Sequence, residues 1–179
     1  MRGRAIARRY AWALVTSVTD QEYSRISSEL RAFLKAFNET ELGEILASPF
    51  IAMEKKKSLV EEIAHRFNFH RKARNFLVLL VERNRISLFP MVMEFFRQFW
   101  NSAHNIHEFT MITAVEPPED VVEKIKKILS EKFGGKIILK SQVDSSIIGG
   151  LILKKGYTVY DGSIEKQLEL IKRKIVEGE

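Results

Sequence analysis

Apolar residues recur at three- and four-residue spacings through the first hundred positions, which is the signature of helices that each bury one stripe. At about 100° per residue, Ile6, Ala7, Tyr10, Ala11, Ala13, Leu14, Val15 and Val18 share one face of a first helix. That face spans about 200°, well beyond the ~100° stripe of an ordinary surface helix. Asp20 is placed to cap a second helix with Tyr23, Ile26, Leu30, Phe33, Leu34 and Phe37 inward. Thr40 is placed to cap a short third one bearing Leu42, Ile45 and Leu46. It stops at Ser48-Pro49, because the residue before a proline disfavours the helical region. A fourth runs from Lys55 to Phe67 with Leu59, Val60, Ile63, Ala64 and Phe67 inward, and Lys55-Lys56-Lys57 reads as its solvated first turn.

The run Phe76 to Val81 is apolar all round, and period alone does not separate a buried strand from a buried helix. Its flank Arg71 to Arg74 carries helix formers and no turn signal, which decides for a fifth helix. Ser87 precedes a sixth, with Pro90 near its start and Val92, Phe95, Phe96, Phe99, Trp100 and Ala103 inward.

The texture changes at Glu108. Phe109 to Val115 is rich in β-branched and apolar residues, Pro117-Pro118 breaks the chain, and Glu119 to Phe133 has helical period with Val122, Ile125, Ile128, Leu129 and Phe133 on one side. Gly134-Gly135 ends that helix. Strands Lys136 to Val143 and Ile147 to Lys154 follow, joined as a β-hairpin through Asp144-Ser145-Ser146, then an extended piece from Tyr157 to Tyr160. Ser163 is placed to cap a last helix with Ile164, Leu168, Ile171 and Ile175 on one face. The expected architecture is α + (α/β): a six-helix bundle over residues 1–105, then a small α/β domain over 106–179 with a short sheet and two helices.

Charge supports that division. Of 29 Lys and Arg and 23 Asp and Glu, residues 1–107 hold 17 and 11 while 108–179 hold 12 and 12, so the whole net charge of +6 sits in the first part. No stretch approaches the ~20 apolar residues of a membrane span. The Arg-rich, acid-free opening superficially resembles a transit peptide, but its continuous apolar face argues for a folded helix.

The chain has no cysteine, which removes thiolate nucleophiles, disulfides and Cys-based metal sites. His65 and His70 are five apart and His104 and His107 three apart, without a third ligand, so no metal is expected. The glycines do not form a GxxxxGK[ST] or a GxGxxG before a helix, and no GxSxG is present. They read as a cap at Gly134-Gly135, a close-packed strand at Gly149-Gly150 and a turn at Gly156. No catalytic constellation and no cofactor are expected. A basic helical RNA-binding module is the alternative, resting on Arg2, Arg4, Arg8, Arg9, Lys55 to Lys57 and Arg71 to Arg74, though no RRM, KH or zinc-finger signature accompanies them. What remains is apolar excess on the first and fifth helices: either both lie centrally, or a groove between them accepts a partner's amphipathic helix.

Several motifs resemble those of a known family. Arg9-Tyr10-Ala11-Trp12-Ala13-Leu14 is similar to an RYAxAL opening, Ser48-Pro49-Phe50 to a Pro-containing turn before the fourth helix, and Asn75-Phe76-Leu77 with Asn84-Arg85 to a fifth helix. The most specific piece is Ile148-Gly149-Gly150-Leu151-Ile152-Leu153 continuing to Tyr160-Asp161-Gly162-Ser163-Ile164 and Gln167-Leu168. By these motifs the chain resembles the delta (OSCP-like) subunits of the F-type ATP synthase peripheral stalk. It departs at Gly156-Tyr157, where the family often has Gly-Asp, and at Glu165-Lys166, where it often has Arg-Gly.

The resemblance implies a non-catalytic stator connector. Residues 1–105 would bind the N-terminal helix of an alpha subunit at the top of the catalytic head, through Ile6, Ala7, Tyr10, Ala11 and Leu14 with Asn75, Phe76, Leu79 and Arg83. Residues 106–179 would join the b subunits. Gly149, Gly150, Asp161 and Ser163 are structural signature residues, the last two opening the final helix. The implied place is peripheral, on the cytoplasmic side of a bacterial inner membrane, with no nucleic acid and with membrane attachment only through the complex.

Overall fold

A computed structural model describes residues 2–156 and 158–177. The chain divides into two compact units, Met1–Trp100 and Asn101–Glu179. The first opens with α1 (Arg2–Ser17) and α2 (Asp20–Glu39). Asp20 does not cap α2 but is its first helical residue. The cap is Thr19, an extended residue whose backbone N–H and hydroxyl donate to the Glu22 carboxylate at 3.0 and 2.9 Å, because a Glu three residues after a threonine reaches back to it. α3 (Leu42–Ala47) starts after Glu41. Thr40 instead closes α2, its hydroxyl donating to Ala36 O and accepting from Leu42 N–H.

α4 (Met53–Arg66) begins two residues before Lys55, and this corrects the lysine run. Lys56 lies one helical turn before Val60 and two before Ala64, on the inner row, and is 6% exposed. A lysine can bury its methylene stem in this way while its ammonium stays near water. Phe67, expected inward, is 68% exposed. α4 has ended by then, and Asn68 turns the chain with φ 50°. α5 (Arg71–Glu82), a 3₁₀ turn (Ile86–Leu88) and α6 (Phe89–Ala103) complete the helical part. Asn68, Asn84 and Asn105 all take the left-handed conformation just past helix ends, where asparagine is the usual substitute for glycine. The core gathers Ile26, Leu30, Leu77, Leu80, Phe89 and Phe96. Phe89 meets Phe33 edge-on at 5.6 Å, and Tyr23 stacks on Trp100 at 3.7 Å.

The second unit holds β1 (Ile106–Thr113), α7 (Glu119–Phe133), β2 (Lys136–Val143), β3 (Gly150–Lys155), β4 (Thr158–Ser163) and α8 (Ile164–Glu177). Tyr157 lies outside the described residues. The sheet order is β2-β1-β3-β4. The expected hairpin of β2 with β3 is therefore wrong: β1 lies between them, parallel to β2 (Phe109 opposite Leu139) and antiparallel to β3 (Ile112 opposite Ile152). β1 buries Phe109, Met111 and Ile112, and the strand with most to bury takes the centre. The Asp144-Ser145-Ser146 turn is real, with Ser146 N–H donating to Asp144 Oδ1 at 3.0 Å. Asp144 N–H in turn donates to Thr113 O at the end of β1, so the turn belongs to a crossing past β1. The true hairpin is β3 with β4.

On α7 the expected inward face is only partly so, with Leu129 buried and Ile128 61% exposed. On α8 Ile164, Leu168, Ile171 and Ile175 are all between 42% and 76% exposed. With eight α-helices and a four-stranded mixed sheet among the described residues, the chain is of the α+β class.

Candidate functional site

The wide apolar arc of α1 has two jobs. Ala7, Ala11, Leu14 and Val18 are buried, whereas Ile6 and Tyr10 are half-buried and Ala13 is exposed. The outer part forms one wall of a groove of about 960 Å³, lined by Ala5, Ile6, Arg8, Arg9, Tyr10, Trp12, Ala13, Leu79, Arg85 and Phe99. A smaller depression of about 260 Å³ is lined by Tyr10, Ala13, Leu14, Ser17, Lys72, Asn75, Phe76 and Leu79. Tyr10, Ala13 and Leu79 belong to both, so the two adjoin as one trough along the outer face of α1, flanked by α5 and, through Phe99, by α6. The early residues of α1 meet Leu79 and Arg85 while Ser17 meets Lys72, so α1 and α5 line it antiparallel.

Local structure explains why these side chains are on offer. α5 buries Ala73, Phe76, Leu77, Leu80 and Val81, which uses most of its circumference and leaves Leu79 at the surface, 38% exposed. Past its end, left-handed Asn84 turns the chain so that Arg85 N–H donates to Leu80 O at 2.7 Å, which sets Arg85 at one end of the trough. Trp12, 58% exposed, meets Phe99 edge-on at 5.4 Å, and the Arg8 guanidinium lies 5.6 Å from the centre of the same Phe99 ring.

The other end is polar and internally paired. Lys72 Nζ is bonded to the Glu22 carboxylate and to Ser17 O at 2.7 Å. This lysine, followed by the Thr19 backbone N–H and hydroxyl, holds the Glu22 carboxyl down at about 2. His70 caps α5, its Nδ1 accepting from the Lys72 backbone N–H at 3.3 Å, while the His70 backbone N–H donates to Glu29 Oε2 at 2.7 Å. These bonds tie the α1–α2 corner to the start of α5.

Of the residues singled out from sequence, Ile6, Tyr10, Leu14, Asn75, Phe76 and Leu79 come together along this trough. Ala7 and Ala11 are fully buried and face the core. Arg83 is exposed and is not part of the lining. Sequence reasoning missed Arg8, Arg9, Trp12, Lys72, Arg85 and Phe99 as walls. The available signal was Trp12, a large aromatic outside the apolar arc of its own helix.

In the second unit the signature residues meet at the start of α8. Gly150 has φ 82°, and a Cβ there would lie 2.4 Å from Gly162 O, so strand β3 approaches β4 as only glycine allows. Gly149 O accepts from Ile164 N–H at 3.0 Å. Asp161 Oδ1 accepts from Ser163 N–H at 2.9 Å, and Ser163 Oγ accepts from Lys166 N–H at 3.2 Å, which caps α8. The Ser163 hydroxyl, then its backbone N–H, holds the Asp161 carboxyl below its ordinary value.

No group of three or more potential metal ligands converges among the described residues, and no helix there is long and apolar enough to cross a membrane. What the trough can do chemically is remove an apolar stripe from water. Fold and site together define an α+β protein whose helical part presents an open, largely apolar trough. Residues 6–175 match the family model described as the ATP synthase delta (OSCP) subunit, and the chain belongs to that family. The ATP synthase subunit delta of Geotalea uraniireducens is 33% identical over 181 residues, covering 99% of this chain and 100% of its own length. That of Geobacillus sp. is 33% identical over 179 residues, covering 98% and 99%. A chain in the cryo-EM structure of the Toxoplasma gondii mitochondrial ATP synthase hexamer shares the fold, with a TM-score of 0.71 at 19% identity over 95% of this chain and 97% of that one.

Proposed function

We propose that this chain is the stator connector of a bacterial F-type ATP synthase. Residues 1–105 take the N-terminal helix of an alpha subunit, and residues 106–179 join the b subunits of the peripheral stalk. The logic is mechanical. A rotating shaft delivers torque to the catalytic head, so the head turns with the shaft unless an unbroken link holds it to the membrane. The connector supplies no catalytic group and no cofactor. It works on the cytoplasmic side of the inner membrane and reaches the bilayer only through the complex.

The observation that carries this reading is the open trough along α1, with Tyr10 half-buried and Leu79 and Trp12 exposed in its walls. Affinity then comes from burying the apolar face of a helix. The test is calorimetric titration of the full chain with a peptide copying the alpha subunit's N-terminal helix. In the Tyr10→Asp variant a carboxylate would be desolvated under the bound helix, at a cost of several kcal/mol, so affinity falls by more than about a hundredfold. Binding untouched by a folded Tyr10→Asp variant contradicts the assignment of this trough.

A further inference from the structure

The trough's walls are apolar, but their charges are of one sign. Arg8, Arg9 and Arg85 stand along one end, Lys72 at the other, and no carboxylate lines either depression. The two ends differ in how that charge is spent. Lys72 is neutralised within the fold by Glu22. Among the described residues none of the ion pairs engages Arg8, Arg9 or Arg85, and the nearby Glu82 is taken by Lys57 at 2.7 Å. Arg8 is held over Phe99, a contact that leaves its charge in place. Arg85 is half-buried at the end of the apolar floor. A surface that gathers three cations at one end of an apolar channel, without a carboxylate of its own, is complementary to an anionic partner.

The dimensions say what kind. From Ile6 to Ser17 the α1 wall runs about 17 Å, or three helical turns, which suits a short helix laid lengthwise. We infer that the occupant is an amphipathic helix of about three turns that carries acidic side chains beside its apolar stripe at the end lying against Arg8, Arg9 and Arg85. This rests on the trough being a helix-binding site, and adds the charge pattern that the helix must have. The apolar stripe supplies affinity, while the acids fix which end of the helix lies against α1's N-terminal half and speed encounter. The Glu22–Lys72 pair keeps the far end neutral, so a helix laid in reversed places its acids where no free cation meets them.

The experiment uses the full chain and three synthetic helical peptides of about 15 residues with one shared apolar stripe at i, i+3, i+4 and i+7. At one end the flanking positions hold glutamate, glutamine or lysine. At low salt the glutamate peptide should bind on the order of tenfold more tightly than the glutamine peptide, and the lysine peptide weakest. The difference should close toward 1 M salt, where the screening length falls to about 3 Å. In the Arg9→Glu/Arg85→Glu double variant the order should invert in favour of lysine, with circular dichroism reporting that the variant is folded. Should it not fold, the three-peptide order on the unmodified chain decides alone. Equal affinity for glutamate and glutamine peptides overturns the charge inference and leaves the trough reading standing. Failure of all three peptides to bind overturns the trough reading, and the inference with it.

Discussion

Glu22 shows how one side chain serves several elements. Its carboxylate takes the backbone N–H and hydroxyl of Thr19 and the ammonium of Lys72, and so closes the start of α2 and fastens α5 to the α1–α2 corner. With its carboxyl held at about 2 against an ordinary 4.5, the folded state binds fewer protons there than the unfolded state. The stabilisation is complete above the unfolded value and is lost as pH falls from about 4.5 toward 2. Thermal melts of the protein and of Glu22→Gln should differ at neutral pH and converge across that window. A gap independent of pH contradicts this role. Gly150 makes an equally sharp case in the second unit. At φ 82°, with Gly162 O in the space of a Cβ, Gly150→Ala should cost more than about 1 kcal/mol, read as a lower urea midpoint and lost amide protection along β3 and β4.

Elements differ in how far local sequence determines them. The helices around Leu30, Val60 and Phe96 fall where three-and-four periodicity places them, because each buries one stripe and polar residues fill the remainder, whereas α5 around Phe76 is apolar all round and is marked only by its Arg71 to Arg74 flank. Their ends were harder to read, since Asn68 and Asn84 act through backbone conformation, and Thr19 acts through its bonds to Glu22 one residue before the Asp20 that the sequence also offers. Strand order was not legible at all. The Asp144 to Ser146 turn looks the same whether it joins neighbours or carries the chain past β1, and only the long-range pairing of β1 with both β2 and β3 tells the two apart. The trough was half legible. Apolar excess on α1 and α5 marked its floor, but which arc faces the core depends on α6, whose Phe99 completes the wall. α8 carries an element-scale prediction. Its apolar residues are largely exposed, so its stability leans on the Asp161–Ser163 cap. Ser163→Ala should cost about 1 kcal/mol and appear as faster hydrogen exchange confined to the first turns of α8. Unchanged exchange there would show that the cap contributes nothing.

At the scale of the molecule, two units of different construction follow each other in one chain. The first puts its net positive charge and its apolar trough on helices, and the second is charge-balanced and built on a mixed sheet. The connector role proposed above requires holding two partners at once. Its central property is simultaneous occupancy. The direct measurement is sedimentation of three components: the catalytic head, the soluble part of the b subunits, and this chain. Head and b subunits should co-sediment only when the chain is present, and Tyr10→Asp should release the head while the b subunits stay bound. Binding of either partner that displaces the other would contradict the account.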